Sequence, residues 1–139
     1  MKTLYVTEVT STGGRNGHVQ STDGVLDFEV KMPKELGGSG EGYTNPEQLF
    51  AAGYAACFGS ALDLIISKSG IKLESEPVTN AKVGIGPNDK GGFQLSVTLA
   101  VSIPDLAKDK VLKLVEKAHE ICPYSNATRN NIDVQLEVL

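Results

Sequence analysis

The chain holds two cysteines, Cys57 and Cys122, two arginines, Arg15 and Arg129, and two histidines, His18 and His119. A cysteine is a nucleophile only as its thiolate, and apolar surroundings raise its pKa and keep it inert unless a cation opposes them. The chemistry therefore turns on which cation meets which sulfur. Arg15 lies in the turn GGRNGH and Arg129 in the loop after Cys122, and either can be carried to Cys57 by the fold. A guanidinium can hold a carboxylate with one edge and offer its remaining donors to a thiolate or an oxygen, which the point charge of a lysine does less well. Glu47 is the carboxylate best placed to hold it.

Each of these residues also has a plainer reading. A lone cysteine in an apolar helix is more often a small core residue than a nucleophile. An arginine in a glycine-rich turn is usually a solvated charge, and a glutamate in a first helical turn complements the helix dipole. Phe50 and Tyr54 share a helical face with Cys57 and fit a core as well as a substrate wall. A metal or redox-sensing module is also open, since His119 and Cys122 lie three apart and a Cys2His2 set can be assembled. Against it, the chain has no close CxxC pair, and His18 and Cys57 would have to converge from elsewhere; no metal or other cofactor is expected. A cysteine hydrolase would need a histidine base oriented near Cys57.

The stretch that must carry Cys57 is Asn45 to Gly70, NPEQLFAAGYAACFGSALDLIISKSG. Asn45 is a suitable N-cap, Pro46 suits the first helical position, and Gly70 can take the left-handed conformation just past the end. Leu49 to Ile66 is apolar or small on nearly every face, so the helix is expected to be buried all round. Gly53, Gly59, Ser60 and Asp63 interrupt the run, which reads as a core helix and not a membrane span. Its glycines and alanines let another backbone approach closely. Glu47 and Cys57 are ten positions apart, roughly 15 Å along one helix. One chain cannot bring them together, whereas two copies of the helix packed antiparallel across a two-fold axis can. An intertwined homodimer is therefore expected, with each site drawing on both chains.

Around this helix the spacing predicts strands at Leu4 to Thr10, Val19 to Ser21 and Val25 to Lys31, joined at GGRNGH and at Asp23-Gly24. The glycine cluster before Thr44 fits neither the dinucleotide fingerprint nor a phosphate-binding loop. Beyond it, Val78 to Ile85 and Phe93 to Ile103 form a second hairpin. An amphipathic helix starts near Asp105 with the stripe Leu106, Val111, Leu112, Leu114, Val115, Ala118 and Ile121. CPYSNATRNN reads as an ordered polar loop, and Ile132 to Leu139 as a closing edge strand. Strands in runs with segregated helices indicate an α+β fold, mainly antiparallel.

With 139 residues, of which 40% are hydrophobic, the chain suits one domain, 1–139. A net charge of −4 with scattered basic residues offers no stripe for nucleic acid. The N-terminus alternates apolar and polar residues with no apolar signal core, so a cytoplasmic protein is expected. There, a cysteine pair is more often redox, catalytic or metal-binding than a structural staple.

Taken together, GRNGHVQSTDGVLDFEVKMP, GYTNPEQLFAAGYAACFGSAL and EICPYSNATRNNIDVQL resemble the organic hydroperoxide resistance branch (Ohr) of the Ohr/OsmC family, over almost the whole chain. The resemblance implies an OsmC/Ohr-like fold of two sheets around central helices, an interleaved homodimer and a thiol-dependent peroxidase. It implies that Cys57 is the peroxidatic and Cys122 the resolving cysteine, that Arg15 activates the thiolate, and that Glu47 holds Arg15. Its implied partners are an organic hydroperoxide substrate, such as a fatty-acid hydroperoxide, and a lipoyl-type dithiol or lipoylated protein as reductant. The OsmC branch is the nearest alternative.

Overall fold

The computed structural model describes residues 1–139. The chain divides into two compact units, Met1–Leu49 and Phe50–Leu139.

In the first unit, β1 (Val9–Thr12), β2 (His18–Ser21) and β3 (Asp27–Glu29) form an antiparallel meander in the order β1-β2-β3. The first strand is expected to begin at Leu4, yet Leu4, Tyr5 and Val6 are exposed and lie outside any strand. The register gives the reason. Val9 already faces Ser21, the last residue of β2, so the earlier residues have no strand to pair with. The third strand is likewise shorter than expected, because the Asp23-Gly24 turn extends to Leu26. Asp23 Oδ1 accepts from Ser21 Oγ and Val25 N–H, and Leu26 N–H donates to Ser21 Oγ.

Helix α1 runs from Pro46 to Lys68. Asn45 Oδ1 accepts from Gln48 N–H at 2.9 Å, the capping bond its residue type allows. Gly70 takes φ +67° just past the C-terminal end. The helix has 23 residues and its most apolar 18-residue window has a mean hydropathy of 1.7, enough in length and composition to cross a bilayer, so the interruptions do not by themselves exclude a span. Packing does. Tyr54, Phe58, Ala61, Leu62 and Ile66 are buried in the core of the second unit.

The expectation of burial on every face is corrected. Ala52, Ala56, Ser60, Asp63, Leu64 and Ser67 are exposed along one side. Most of these are small, and small residues blur the difference between a covered and an uncovered face.

In the second unit, β4 (Val78–Pro87) and β5 (Phe93–Ser102) pair antiparallel, and β6 (Val134–Val138) adds to β5 in parallel, in the order β4-β5-β6. A parallel neighbour needs a crossover. α2 (Lys108–Ile121) and α3 (Pro123–Thr128) supply it. The expected polar loop after Cys122 is therefore a short helix. Cys122 ends α2 and caps α3, and Pro123 takes the first position as Pro46 does in α1.

β5 is the central strand, and Val97, Leu99 and Val101 on it and Ile103 just past its end are buried in the core. α2 meets them with Val111, Leu114, Val115 and Ala118, while Leu112 and Ile121 fall off the expected stripe onto the surface. Leu99 is fully buried at the middle of this layer. Leu99→Ala should cost about 2–5 kcal/mol, seen as a lower urea midpoint with an unchanged slope.

Candidate active site

Two constellations hold the residues singled out from the sequence, one in each unit. In the first, Gly13 starts a tight turn in the left-handed conformation (φ +77°), and Arg15 follows at its centre. Gly17 closes the turn so tightly that a Cβ there would lie 1.8 Å from the Thr12 carbonyl oxygen. Val30 N–H donates to Gly17 O and Met32 N–H to Asn16 Oδ1, so the turn is tied to the chain after β3. Arg15 Nη1 and Nη2 donate to the two oxygens of Glu47 at 2.9 and 2.7 Å. This two-pronged geometry suits a guanidinium and not an ammonium.

Glu47 is 13% exposed and Arg15 36%. The Arg15 hydrogen bonds hold the Glu47 carboxyl below its ordinary range, and Glu47 in turn raises Arg15. The arginine is thus fixed and permanently charged, with guanidinium donors to spare. His18 Nε2 lies 2.6 Å from Asp27 Oδ1 in the same unit.

In the second unit, Cys57 lies partly buried on α1, and Cys122, fully buried, lies at the α2/α3 junction. Both are free thiols, with Cys122 Sγ 3.7 Å from Cys57 Sγ. Burial pushes the Cys57 thiol up. The Tyr124 backbone N–H draws it down, and Cys122 pushes it up further. None of these three influences is a cation. Arg129, the other arginine, donates to His119 O at 2.7 Å and Asn126 Oδ1 at 2.6 Å, bracing α3 against the end of α2. Burial and the nearby Arg129 charge lower the pKa of His119.

The sulfurs sit beside aromatic side chains. Phe50 meets Tyr54 edge to face at 6.0 Å, and Tyr124 tilts against both, at 6.3 and 5.7 Å. Gly53 makes this possible, since a Cβ there would lie 3.0 Å from Tyr124 Oη. Tyr54 is fully buried, its hydroxyl bonded to Ser125 and Thr128. Phe50 also lines an open cleft of about 570 Å³ with Lys90, Phe93, Leu95, Thr128 and Ile132.

Of the residues singled out from sequence, Arg15 meets Glu47, and Cys57 meets Cys122 near Phe50 and Tyr54. Tyr124, Ser125 and Thr128 were missed. The signal was present, because Pro123 takes the helix-start position that Pro46 takes in α1 and would have placed these three on a helix after Cys122.

Residues 38–137 match the family described as OsmC-like protein. An organic hydroperoxide resistance protein of Xanthomonas axonopodis pv. citri is 50% identical over 135 residues, 97% of this chain and 94% of the relative. The organic hydroperoxide resistance protein OhrB of Bacillus subtilis is 50% identical over 137 residues, 97% of this chain and 98% of the relative. Among solved structures, an organic hydroperoxide resistance protein from Elizabethkingia anophelis is similar with a TM-score of 0.94 at 57% identity, covering 99% of this chain and 98% of that one. An OsmC-like protein from Mycoplasma pneumoniae shares the fold at a TM-score of 0.70 and 13% identity.

The Arg15–Glu47 pair has a pH signature. The folded pKa of Glu47 is depressed, so its contribution to stability is present above the ordinary carboxylate range and is lost as pH falls through the depressed value. Wild type should exceed Glu47→Gln in stability at pH 7, and urea titrations at successively lower pH should show that margin shrinking below about pH 4.3. A margin independent of pH would contradict the ionic pairing.

Proposed function

The chain belongs to the OsmC-like protein family, in its organic hydroperoxide resistance branch, and we propose that it is a thiol peroxidase reducing organic hydroperoxides to alcohols. The observation that carries this reading is the pair of free thiols 3.7 Å apart, one reachable and one fully buried. A peroxide can approach Cys57, while Cys122 waits behind it.

In the proposed sequence the Cys57 thiolate attacks the distal peroxide oxygen. The O–O bond breaks, Cys57 becomes a sulfenic acid, and the alkoxide takes up a proton and leaves as the alcohol. Arg15, held by Glu47, stabilises the thiolate and then the charge developing on the departing oxygen. Cys122 next attacks the Cys57 sulfur, and the sulfenic oxygen departs as water with the proton of Cys122. The resulting disulfide protects Cys57 from irreversible oxidation. A dithiol of the lipoyl type returns both cysteines to thiols and leaves as its own disulfide.

The raised Cys57 pKa supports a need for a cation, and no influence on it within Phe50–Leu139 supplies one. Two copies of α1 packed antiparallel would offer the arginine–glutamate pair of one chain to the Cys57 of the other. The exposed small residues of α1 and the exposed Leu4, Tyr5 and Val6 support such an intertwined homodimer, since each is apolar or small surface that a second chain can cover. Phe50, which lines the open cleft, offers an apolar surface that favours peroxides with hydrocarbon tails over hydrogen peroxide, whereas Tyr54 is fully buried behind it. We place the protein in the cytoplasm, where such a dithiol is kept reduced.

Consumption of tert-butyl or linoleic acid hydroperoxide, with dihydrolipoamide as reductant, tests the scheme. Wild type should strongly prefer these to hydrogen peroxide, and Cys57→Ser should be inactive. Cys122→Ser should accumulate sulfinic acid, and Arg15→Ala should lose about a hundredfold or more in rate. Activity surviving in Cys57→Ser would sink the assignment.

A further inference from the structure

Tyr54 precedes Cys57 by one helical turn on α1, and Ser125 follows Cys122 by about one turn on α3. Their hydroxyl oxygens are 2.9 Å apart, and Tyr54 Oη lies 3.2 Å from Thr128 Oγ1. Thr128 Oγ1 in turn lies 2.9 Å from the Tyr124 carbonyl oxygen and 3.2 Å from that of Ser125. A carbonyl can only accept, so the Thr128 proton goes there. The Thr128 oxygen is then free to accept from Tyr54, and the Tyr54 oxygen to accept from Ser125. The protons run in one direction, from Ser125 to Tyr54 to Thr128 to the backbone. Tyr54 and Ser125 are fully buried and Thr128 is 7% exposed, so water is poorly placed to replace a lost member.

We propose that this hydroxyl chain positions the resolving cysteine: it fixes α3 against α1 so that Cys122 Sγ stays poised at 3.7 Å from Cys57 Sγ. Tyr54, Ser125 and Thr128 are positioning residues for disulfide formation and do not touch the peroxide oxygens. α3 has six residues, too few to hold a conformation on its own. Arg129 ties its far end to α2, and the Tyr124 ring packs on Tyr54 without fixing a direction. The Tyr124 backbone N–H bonds the Cys57 sulfur itself, and the hydroxyl chain is the directional side-chain tie from α3 to α1 that does not use a sulfur. It lies about a turn from both sulfurs, so it can persist while they close to the roughly 2.05 Å of a disulfide. In the peroxidase reading, on which this inference rests, the tie sets how often Cys122 captures the sulfenic acid before a second peroxide does. That capture forms the S–S bond, breaks the S–O bond and releases water.

The test uses the full-length protein as wild type, Tyr54→Phe, Ser125→Ala and the double variant, all close in shape to the originals. One readout needs no peroxide: the equilibrium of the Cys57–Cys122 disulfide with a dithiothreitol couple. Each single variant should lower the effective concentration of the two thiols about tenfold, and the double variant should fall little further. The other readout is the fraction of Cys57 converted to sulfinic acid per turnover with tert-butyl hydroperoxide, measured by mass spectrometry. It should rise about tenfold in the same variants.

Unchanged values on both readouts in a wild type that consumes peroxide would overturn the positioning role and leave the peroxidase reading standing. Strictly additive effects of the two substitutions would also overturn it, since they would mean that the hydroxyls act separately. A wild type that consumes no peroxide, with the dithiothreitol equilibrium shifted as expected, would keep the positioning role and remove the peroxidase reading.

Discussion

The distance of 3.7 Å between Cys57 and Cys122 is the constraint that the second unit is built to meet. The residues are 65 positions apart in sequence and sit on different helices, so nothing local can bring them together. β5 supplies the floor. Its buried residues receive α1 and α2 on the same core, and the chain must then turn sharply at Cys122 to return as β6 beside β5. The turn places Cys122 where α2 ends and α3 begins, a position with no freedom to drift along a helix. Gly53 completes the approach by leaving room for Tyr124 on α1.

Electrostatics divides the work differently from geometry. Burial that brings two thiols close also makes a thiolate costly, and within its own unit Cys57 is pushed away from its reactive form. A lysine nearby would be a weak remedy, because burial lowers its own pKa as well. A guanidinium keeps its charge under those conditions, but it needs a partner that holds it in one orientation. The Arg15–Glu47 pair meets both needs inside the first unit, on a turn whose glycines allow a backbone path that residues with side chains would resist.

Much of this was legible in the sequence because several signals were redundant. Asn45, Pro46 and Gly70 marked both ends of α1, and the alternation through Val97, Leu99 and Val101 marked β5. Residue chemistry pointed to an arginine held by Glu47, and the family resemblance, not chemistry, chose Arg15 over Arg129. Three features were not legible. The exposed side of α1 looks apolar because alanine is apolar, though small residues at Ala52 and Ala56 do not require cover within one chain. β1 could not reach back to Leu4, because strand length depends on a neighbour that its own residues do not encode. The parallel placement of β6 is a property of the crossover through α2 and α3, and strand alternation carries no direction.

α3 shows how a short polar segment can matter as much as the core. PYSNAT reads as loop composition because serine, asparagine and threonine compete for backbone hydrogen bonds. Here the hydroxyl of Ser125 turns inward to Tyr54, and that of Thr128 is shared between Tyr54 and the backbone. Replacing these hydroxyls with aliphatic groups would give a greasier contact but no preferred register, since apolar packing tolerates sliding that a chain of oriented hydrogen bonds does not. A segment that must present one sulfur to another therefore gains more from directional bonds than from added apolar area. The polarity that hides α3 in the sequence is what lets it hold Cys122 in place.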